Sequence, residues 1–576
     1  MLRFVPALAM ATSLAGLAVP TFAQDATVFS YMDRVHPIYA THGMVASGEG
    51  IASQVGLDIL KKGGNAIDAG VAVALALAVT LPEAGNLGGG GFMMIHDAKT
   101  GETKAIDYRE MAPAAATRDM YLDKDGNANS DLSQYNGLAV GVPGTVAGMQ
   151  MALEKYGTMS LSEVLQPAIK LARDGIVVTT GLSDSLIDSQ NELKMWPSTV
   201  KVFFKPDGTP IAAGEVLKQP ELAHTLQLIA DKGVDGFYKG ETAEKIAAAV
   251  QAAGGNMTVE DLANYKPVLR DPVHGTYRGY EIVSMPPPSS GGVHIIQILN
   301  ILEGYPIGYL GHNSAATIHL MAEAMKYAYA DRSQYLGDSD FVHVPVKELI
   351  SKEYAASIRE QISRTAVRPS ADIKPGDLAP YESNQTTHFS IVDKDGNAVS
   401  NTYTLNFPYG AGLVADGTGV FMNNEMDDFS AKPGVPNGYG LIGGDANAIQ
   451  AGKRPLSSMS PTMVMKDGKV FLVTGSPGGA RIITTVLQVI MNVIDHGMNI
   501  EEATIAPRIH HQWLPDTLRI EDGLSPDTIA ILEGEGYKVS EQEVMGSAQS
   551  IMVDSDHGYL FGASDPRYVG AEAVGY

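Results

Sequence analysis

The chain contains no cysteine among its 576 residues. It therefore forms no disulfide, offers no thiolate to a metal ion and has no cysteine for lipid attachment. A twin-arginine export signal is also absent. His510 and His511 are adjacent and lack the spacing of a metal site, so we interpret both as structural. Neither a metal ion nor a cofactor is expected.

Positive charge is scarce. Against 41 Lys and Arg residues stand 65 Asp and Glu residues, which gives a formal net charge of -24. This acidity argues against nucleic acid or an anionic membrane as a partner. With 45% hydrophobic residues, a chain of this length can bury an extensive core, and length alone suggests several domains.

Hydrophobic runs long enough for a confident membrane span are also missing. The apolar run at 4–20 follows Arg3 and precedes residues 21–23 (TFA), which is the pattern of a secretory signal cleaved after Ala23. The run is too short to be a confident span. An uncut amino-terminal anchor is the alternative. We expect export from a bacterium to the periplasm, without a membrane anchor.

Two catalytic motifs are absent. No G-x-S-x-G occurs, which disfavours a serine hydrolase with a nucleophile elbow. Residues 88–91 (GGGG) lack the Lys and Ser/Thr of a Walker loop, and they precede the apolar run 92–95. We interpret these glycines as a close-packed start of a core strand.

Residues 384–388 (NQTTH) place a pair of threonines at the start of an alternating segment. The pattern predicts a strand at 386–392, a turn at 393–397 and a return strand at 398–406. A threonine hydroxyl becomes a good nucleophile beside a base, and an amino-terminal Thr carries its own α-amine, with a pKa of about 7.7 to 8.0. The hypothesis is self-cleavage between Gln385 and Thr386. An ordinary Thr-rich hairpin is the alternative.

Helical and extended patterns alternate along the rest of the chain. Ile51, Val55 and Ile59 have helical spacing, and 67–81 predicts a buried helix. Ser160 with Glu163, and Thr258 with Asp261, have the spacing of capping boxes. The segment 361–383 predicts a loop leading to the cleavage site. Mixed helices and strands of this kind indicate an α/β layered fold.

Six segments together resemble the γ-glutamyltranspeptidase family, in order and over nearly the whole mature chain. They are 107–113 (DYREMAP), 286–292 (PPPSSGG), 384–388 (NQTTH), 423–433 (NNEMDDFSAKP), 454–462 (RPLSSMSPT) and 474–481 (TGSPGGAR). The resemblance implies an N-terminal nucleophile hydrolase of four αββα layers, with two stacked sheets between helical layers. Residues 24–385 and 386–576 would be the large and small subunits of one interwoven domain.

The resemblance also implies how a γ-glutamyl donor is held. Arg109 would bind the α-carboxylate, a role that suits its planar fork, although the residues alone favour a surface arginine paired with Asp107 or Glu110. Ser457 and Ser458 would donate hydroxyls to the same carboxylate.

The α-ammonium of the donor would meet Asp428, Asn406 and Glu425, although an acidic cluster is by itself more typical of a solvated face. Gly478 and Gly479 match the family's oxyanion hole, where backbone N–H groups approach the developing negative charge. A plain Pro-Gly turn is the alternative for these glycines.

Thr404 matches the threonine that hydrogen-bonds the nucleophile, and Tyr439 lies where some members have a lid loop. The implied reaction is ping-pong: the Thr386 hydroxyl attacks the γ-carbonyl, a γ-glutamyl ester forms, and water or an amine accepts the acyl group. The expected partners are therefore small molecules, namely glutathione, other γ-glutamyl compounds, and amino acid or dipeptide acceptors.

Two other functions stay open at this point. One is an acylase that removes a glutaryl side chain from a β-lactam such as a cephalosporin, since such enzymes share the sequence pattern. The other is a secreted, non-enzymatic binding protein, which would not be cleaved into two chains.

Overall fold

The computed structural model describes residues 33–374, 386–438, 440–542 and 544–576. The predicted signal segment 1–23, Gln385 of the predicted cleavage site and Tyr439 of the predicted lid lie outside these residues. None of the described helices is long and apolar enough to cross a membrane.

Two antiparallel sheets of seven strands each form the centre of the structure. The first sheet has, in spatial order, the strands Glu572–Gly575, Gly43–Ser47, Thr387–Asp393, Ala398–Thr404, Gly90–Asp97, Glu102–Asp107 and Val268–Arg270. The second has Ile38–Ala40, Tyr559–Ser564, Gln549–Asp554, Lys469–Thr474, Thr462–Lys466, Tyr280–Ser284 and Val273–Tyr277. Both sheets combine strands from before and after residue 385.

The hairpin at the predicted cleavage site lies in the middle of the first sheet. Thr387 pairs with Tyr403, which places Thr386 opposite Thr404. The period of two holds along the first strand: Phe389 packs towards the helical side, whereas Ser390 donates to the carbonyl of Gln549 in the second sheet at 2.9 Å.

Helices cover the outer face of each sheet. The first sheet packs against Gly50–Lys61 and Ala66–Thr80. The second sheet packs against Gly291–Leu302, and this helix in turn packs against Ala315–Tyr335 and Ile482–Ile494. The order helix, sheet, sheet, helix confirms the predicted four-layer α/β architecture.

The helix Ala66–Thr80 shows why these residues fold locally as predicted. Asn65 accepts from the backbone N–H of Asp68, and the Asp68 side chain accepts from the backbone of Asn65, which closes a capping box. All fifteen helical residues are buried, and small alanines allow close approach to the sheet. The capping boxes at Ser160 and Thr258 also form as predicted.

The remaining described elements surround this centre. Further α-helices are Ser130–Gln134, Thr145–Tyr156, Leu161–Asp174, Thr180–Asp188, Gln190–Leu193, Pro197–Phe203, Pro220–Lys232, Asp235–Tyr238, Gly240–Ala252, Val259–Asn264, Ile307–Leu310, Val346–Leu349, Lys352–Arg359, Ile500–Ile505 and Pro526–Glu535. Short 3-10 turns are Gly137–Ala139, Ser370–Asp372, Glu425–Asp428, Asp445–Asn447 and Gly479–Arg481. Small ladders pair Ile176–Val177 with Val216–Leu217, Val414–Ala415 with Val420–Phe421, and Leu518–Ile520 with both Ile509–His510 and Val539–Glu541.

The predicted return strand is too long by two residues. It ends at Thr404 rather than at Asn406, because the chain turns there: Asn406 has φ +79, its N–H donates to Thr404 Oγ1 at 2.8 Å, and its side chain donates to the carbonyl of Asn424 at 3.0 Å. The preceding strand runs from 387 to 393, one residue later than predicted at each end.

Candidate active site

Thr386 immediately precedes the central strand Thr387–Asp393 and is 6% exposed. Its Oγ1 lies 3.5 Å from Thr404 Oγ1 on the neighbouring strand. The antiparallel pairing therefore brings the two predicted threonine hydroxyls together at the end of the hairpin.

His388, two residues after Thr386, is not available as a base. It is fully buried, with Nδ1 2.8 Å from Thr402 Oγ1 and Nε2 3.1 Å from Ser390 Oγ. Burial lowers the pKa of His388 to about 3, so the ring binds a proton too weakly to serve as an effective base at working pH. A base for Thr386 has to come from another group.

A cavity with an empty volume of about 270 Å³ opens beside Thr386. Nine of the ten predicted catalytic and donor-binding residues line it. These nine are Arg109, Thr386, Thr404, Asn406, Glu425, Asp428, Ser457, Ser458 and Gly479. They come from segments separated by up to 370 positions, from Arg109 to Gly479, and the two-sheet fold brings them to one place.

Gly478, the tenth residue, lies next to this lining at the start of the turn Gly479–Arg481. Gly478 has φ +131 and Gly479 has φ +54, and L residues that carry a side chain rarely adopt these backbone conformations. This conformational demand gives a physical reason for the pair of glycines at the edge of the cavity.

Arg109 is buried, not a surface residue as its sequence neighbours alone suggested. Its guanidinium donates to Glu425 Oε1 and, at 2.5 Å, to Asp428 Oδ2. Burial acts to lower the pKa of Arg109, but the carboxylates of Glu425, Asp428 and Glu110 outweigh it and raise the pKa. Arg109 is therefore a permanent cation, with its charge already shared between acidic neighbours.

Glu110 and Glu425 are fully buried beside this guanidinium. Glu110 Oε2 lies 3.8 Å from Arg109 Nη1. Burial raises the pKa of Glu110 to about 7 and raises that of Glu425 well above its ordinary value. The Arg109 guanidinium acts in the opposite direction on the pKa of both carboxyls, because it stabilises their charged forms.

Ser457 and Ser458 line the cavity directly after Pro455 and Leu456, whose carbonyls accept from Arg109. Ser457 Oγ accepts from the N–H of Met459 at 3.0 Å, and the Ser457 carbonyl accepts from the Ser290 hydroxyl at 2.8 Å. Ser458 Oγ accepts from Arg332 Nη2 at 3.1 Å. The two serines are thus held by residues of the 286–292 segment and by a helix that the sequence did not connect with the site.

Three residues at this site were not predicted from the sequence. The carbonyl of Asn424 accepts from the side chain of Asn406. Asn424 lies inside the motif 423–433, so the sequence already marked this segment as part of the site. Arg332 and Tyr329 lie in the helix Ala315–Tyr335, and Tyr329 donates to the carbonyl of Ala480 at 2.5 Å, beside Gly479. Because most of this helix is buried, no apolar stripe marks the side that faces the site.

His510 and His511, which the sequence predicts to be structural, lie in the interior. Both are buried, His510 lies 2.9 Å from Thr484 Oγ1 and from Gln512 Oε1, and His511 Nε2 lies 3.3 Å from Asp516 Oδ1. Burial lowers the pKa of His510 to about 3.

The chain is similar to known proteins both in sequence and in structure. The family model described as Gamma-glutamyltranspeptidase matches residues 52–575. The chain is 60% identical over 544 residues to the glutathione hydrolase proenzyme of Escherichia coli K12, covering 94% of this chain and 93% of that protein. It is 52% identical to the glutathione hydrolase proenzyme of Pseudomonas sp. A14, covering 94% and 95%. The crystal structure of cephalosporin acylase from Bacillus halodurans superposes with a TM-score of 0.85 at 31% identity, covering 96% and 99%.

Proposed function

The chain belongs to the γ-glutamyltranspeptidase family, and from that premise we propose that it cleaves γ-glutamyl amides such as glutathione through a γ-glutamyl ester on Thr386. It is an enzyme acting on small molecules. The single observation that carries the assignment of the site is the cavity that places Thr386 beside a buried Arg109 paired with Asp428.

Thr386 is the nucleophile in this proposal. Once the peptide bond before it is cut, its α-amine accepts the hydroxyl proton while Oγ1 attacks the γ-carbonyl. The amine then gives the proton to the leaving amine, and the ester remains. Water or the amine of an amino acid or dipeptide attacks the ester, and the same amine accepts the proton. The low pKa of His388, whose two ring nitrogens lie against Thr402 and Ser390, supports the α-amine as the base.

Donor recognition uses the charges around Arg109. The α-carboxylate of the donor binds Arg109 and the hydroxyls of Ser457 and Ser458, and its α-ammonium binds Asp428 together with Asn406 and Glu425. A donor with both groups brings no net charge into the cavity. It can therefore insert between the guanidinium and the carboxylates while each charged group keeps a partner.

Negative charge on the former carbonyl oxygen is stabilised by the backbone N–H groups of Gly478 and Gly479. Removing one such donor from an enzyme costs about 2.7 to 4 kcal/mol of transition-state stabilisation. The left-handed backbone of these glycines and the contact of Tyr329 with Ala480 support a fixed geometry for this segment.

Maturation uses the same hydroxyl. Thr386 attacks the Gln385 carbonyl, the peptide rearranges to an ester, and water cuts the ester to release residues 24–385 and 386–576 as large and small subunits. The word proenzyme in the names of both bacterial relatives supports this step. Since the strand Thr387–Asp393 lies between Gly43–Ser47 and Ala398–Thr404, the new amino terminus stays anchored in the sheet.

The proposed location is the periplasm. The expected signal segment 1–23 and the bacterial origin of the relatives support export. After removal of this segment the enzyme would act on γ-glutamyl compounds outside the cytoplasm.

Removal of a glutaryl side chain from a cephalosporin is the second candidate, because the superposed Bacillus halodurans structure is a cephalosporin acylase. The pairing of Asp428 with Arg109 favours the γ-glutamyl reaction, since a glutaryl group has no ammonium to bind a carboxylate. Membership of an enzyme family and similarity to proenzymes argue against the hypothesis of a non-enzymatic binding protein.

The direct test is an assay of the purified, cleaved protein on γ-glutamyl-p-nitroanilide with and without glycylglycine. We expect release of p-nitroaniline without the dipeptide and faster release with it, because the acyl ester then has a second acceptor. Glutaryl-p-nitroanilide serves as the comparison donor. A higher kcat/KM on the glutaryl donor would replace the proposed function by the acylase.

Replacing Arg109 with Lys tests the donor site. A lysine keeps the positive charge but has one ammonium nitrogen in place of the planar fork of nitrogens. It cannot contact Glu425 and Asp428 with separate nitrogens as the guanidinium does. We expect KM for γ-glutamyl-p-nitroanilide to rise about tenfold or more, while self-cleavage continues. Arg278→Lys is the matched control, because Arg278 also binds a carboxylate, that of Asp495, away from the cavity. Unchanged donor kinetics in Arg109→Lys would remove Arg109 from the donor site.

A further inference from the structure

Arg332 is a buried cation beside the donor cavity. It lies near the end of the helix Ala315–Tyr335 and is 4% exposed. Its Nε donates to Ser290 Oγ at 2.9 Å and its Nη2 to Ser458 Oγ at 3.1 Å. Within the described part of the chain, no acidic side chain lies within 4 Å of this guanidinium, whereas Arg109 has two tight carboxylate partners.

The surroundings of Arg332 shift its pKa in both directions. Burial lowers the pKa of Arg332 to about 10, and the neighbouring Arg109 lowers it as well, while Asp428 and Tyr329 act in the opposite direction. The side chain is therefore positively charged at neutral pH. A buried charge is costly unless an opposite charge or several hydrogen bonds compensate it. Two serine hydroxyls compensate only part of this one.

Ser458 connects Arg332 with the cavity. A serine hydroxyl has one proton and two acceptor lone pairs. Since Oγ of Ser458 accepts from Arg332, its own proton is directed elsewhere, and among the described residues no protein acceptor takes it. Ser458 lines the cavity, so this proton is available to a bound ligand.

The positive charge of Arg109 is already shared with Glu425 and Asp428, whereas among the described residues no carboxylate lies within 4 Å of Arg332. We propose that Arg332 is a positioning residue for the donor α-carboxylate: through Ser458 Oγ it directs a hydroxyl proton to the carboxylate, and it contributes the positive charge that balances this anion. The inference rests on the proposed function and extends it to a residue outside the cavity lining.

Tyr329 on the same helix provides a contrasting position. Its hydroxyl binds the Ala480 carbonyl beside the proposed oxyanion hole, so its loss acts on the reacting carbonyl, which every donor has. Arg332 acts on the carboxylate, which only some donors have. The two neighbouring side chains therefore predict different patterns of substrate dependence.

Three anilide donors separate these effects. γ-Glutamyl-p-nitroanilide has both the carboxylate and the ammonium, glutaryl-p-nitroanilide has only the carboxylate, and 4-aminobutyryl-p-nitroanilide has only the ammonium. The kcat/KM of each is measured for wild type, Arg332→Gln, Arg332→Lys and Tyr329→Phe, after a gel shows that each protein is cleaved.

For Arg332→Gln we expect a loss of about tenfold or more on the two donors with a carboxylate, mainly as a higher KM. The 4-aminobutyryl donor should change by less than about threefold, since it never offers the anion. Arg332→Lys should show the same pattern with a smaller loss, because the charge remains. Tyr329→Phe should lower kcat on all three donors alike.

Equal losses on all three donors in Arg332→Gln, or no loss on any, would overturn the role of Arg332. If Arg332→Gln is not cleaved, Arg332→Lys decides the matter, because it keeps the charge but loses the planar fork that contacts Ser290 and Ser458, and it must give a carboxylate-specific loss. Absence of that specific loss would overturn the proposal. Failure of the wild type to use γ-glutamyl-p-nitroanilide would instead contradict the proposed function, so the two failures are distinguishable.

Discussion

Thr386→Ala is expected to accumulate as one uncut chain without γ-glutamyl activity. In the proposed mechanism the same hydroxyl attacks both the Gln385 carbonyl and the donor, so its removal should stop maturation and catalysis together. Loss of a catalytic nucleophile typically lowers kcat by about 10⁴-fold or more. With 61.0 kDa for 576 residues, the cleaved wild type should give chains of about 38 and 20 kDa on a denaturing gel, and the variant one band of the uncut size.

Two further variants show that this effect belongs to the hydroxyl of Thr386. Thr386→Ser keeps a hydroxyl and should retain part of both cleavage and turnover. Thr387→Val removes the adjacent hydroxyl while keeping a similar shape, and it should be cleaved and active, because Thr387 faces away from Thr404 in the pleated strand. A cleaved, active Thr386→Ala protein would show that another group is the nucleophile.

Local sequence patterns predicted the elements that position the nucleophile. The alternation at 386–392 predicted the central strand, and the capping residues Ser160 and Thr258 predicted two helix starts, because these features depend on neighbours along the chain. The end of the return strand was wrong for the opposite reason. Asn406 leaves the strand because it binds Asn424, a contact that alternation cannot reveal.

The residues of the site that the sequence predicted lie mostly in the six segments whose motifs resemble those of the family. Charge patterns alone favoured a surface Arg109 and a solvated acidic cluster at 425–428, whereas the fold buries Arg109 and Glu425 together. The family resemblance predicted that both belong to one donor site, and the structure brings both to the lining of the cavity. Arg332 belongs to no such motif, and its relation to Ser458 arises from helix packing across 126 residues of sequence, so nothing local in the chain indicates it.

Asp428→Asn should separate the two donor classes of the family. Asp428 Oδ2 contacts Arg109 at 2.5 Å, and its Oδ1 accepts from Asn437 at 3.1 Å. In the proposed complex it binds the donor's α-ammonium. Truncating one member of a buried charge pair typically costs about 2 to 5 kcal/mol, or roughly 30-fold to several thousand-fold in kcat/KM. We expect a loss in this range on γ-glutamyl-p-nitroanilide.

Glutaryl-p-nitroanilide should be much less affected by the same change, because it never offers an ammonium to Asp428. Removing this carboxylate also leaves Arg109 with one tight acidic partner instead of two, which favours an incoming carboxylate and can raise kcat/KM on the glutaryl donor. The ratio of kcat/KM values should therefore shift in this variant from the γ-glutamyl donor towards the glutaryl donor.

Asp427→Asn is the matched control for Asp428→Asn. Its carboxylate binds Ser133 and the Gly438 N–H instead of lining the cavity. Any loss in this variant should therefore be the same on both donors, so that the ratio of their kcat/KM values stays at the wild-type value. Both variants are compared after a gel confirms two chains. Equal losses on the two donors in Asp428→Asn would show that Asp428 supports Arg109 or the nucleophile rather than the ammonium, since only an interaction with that group distinguishes the donors.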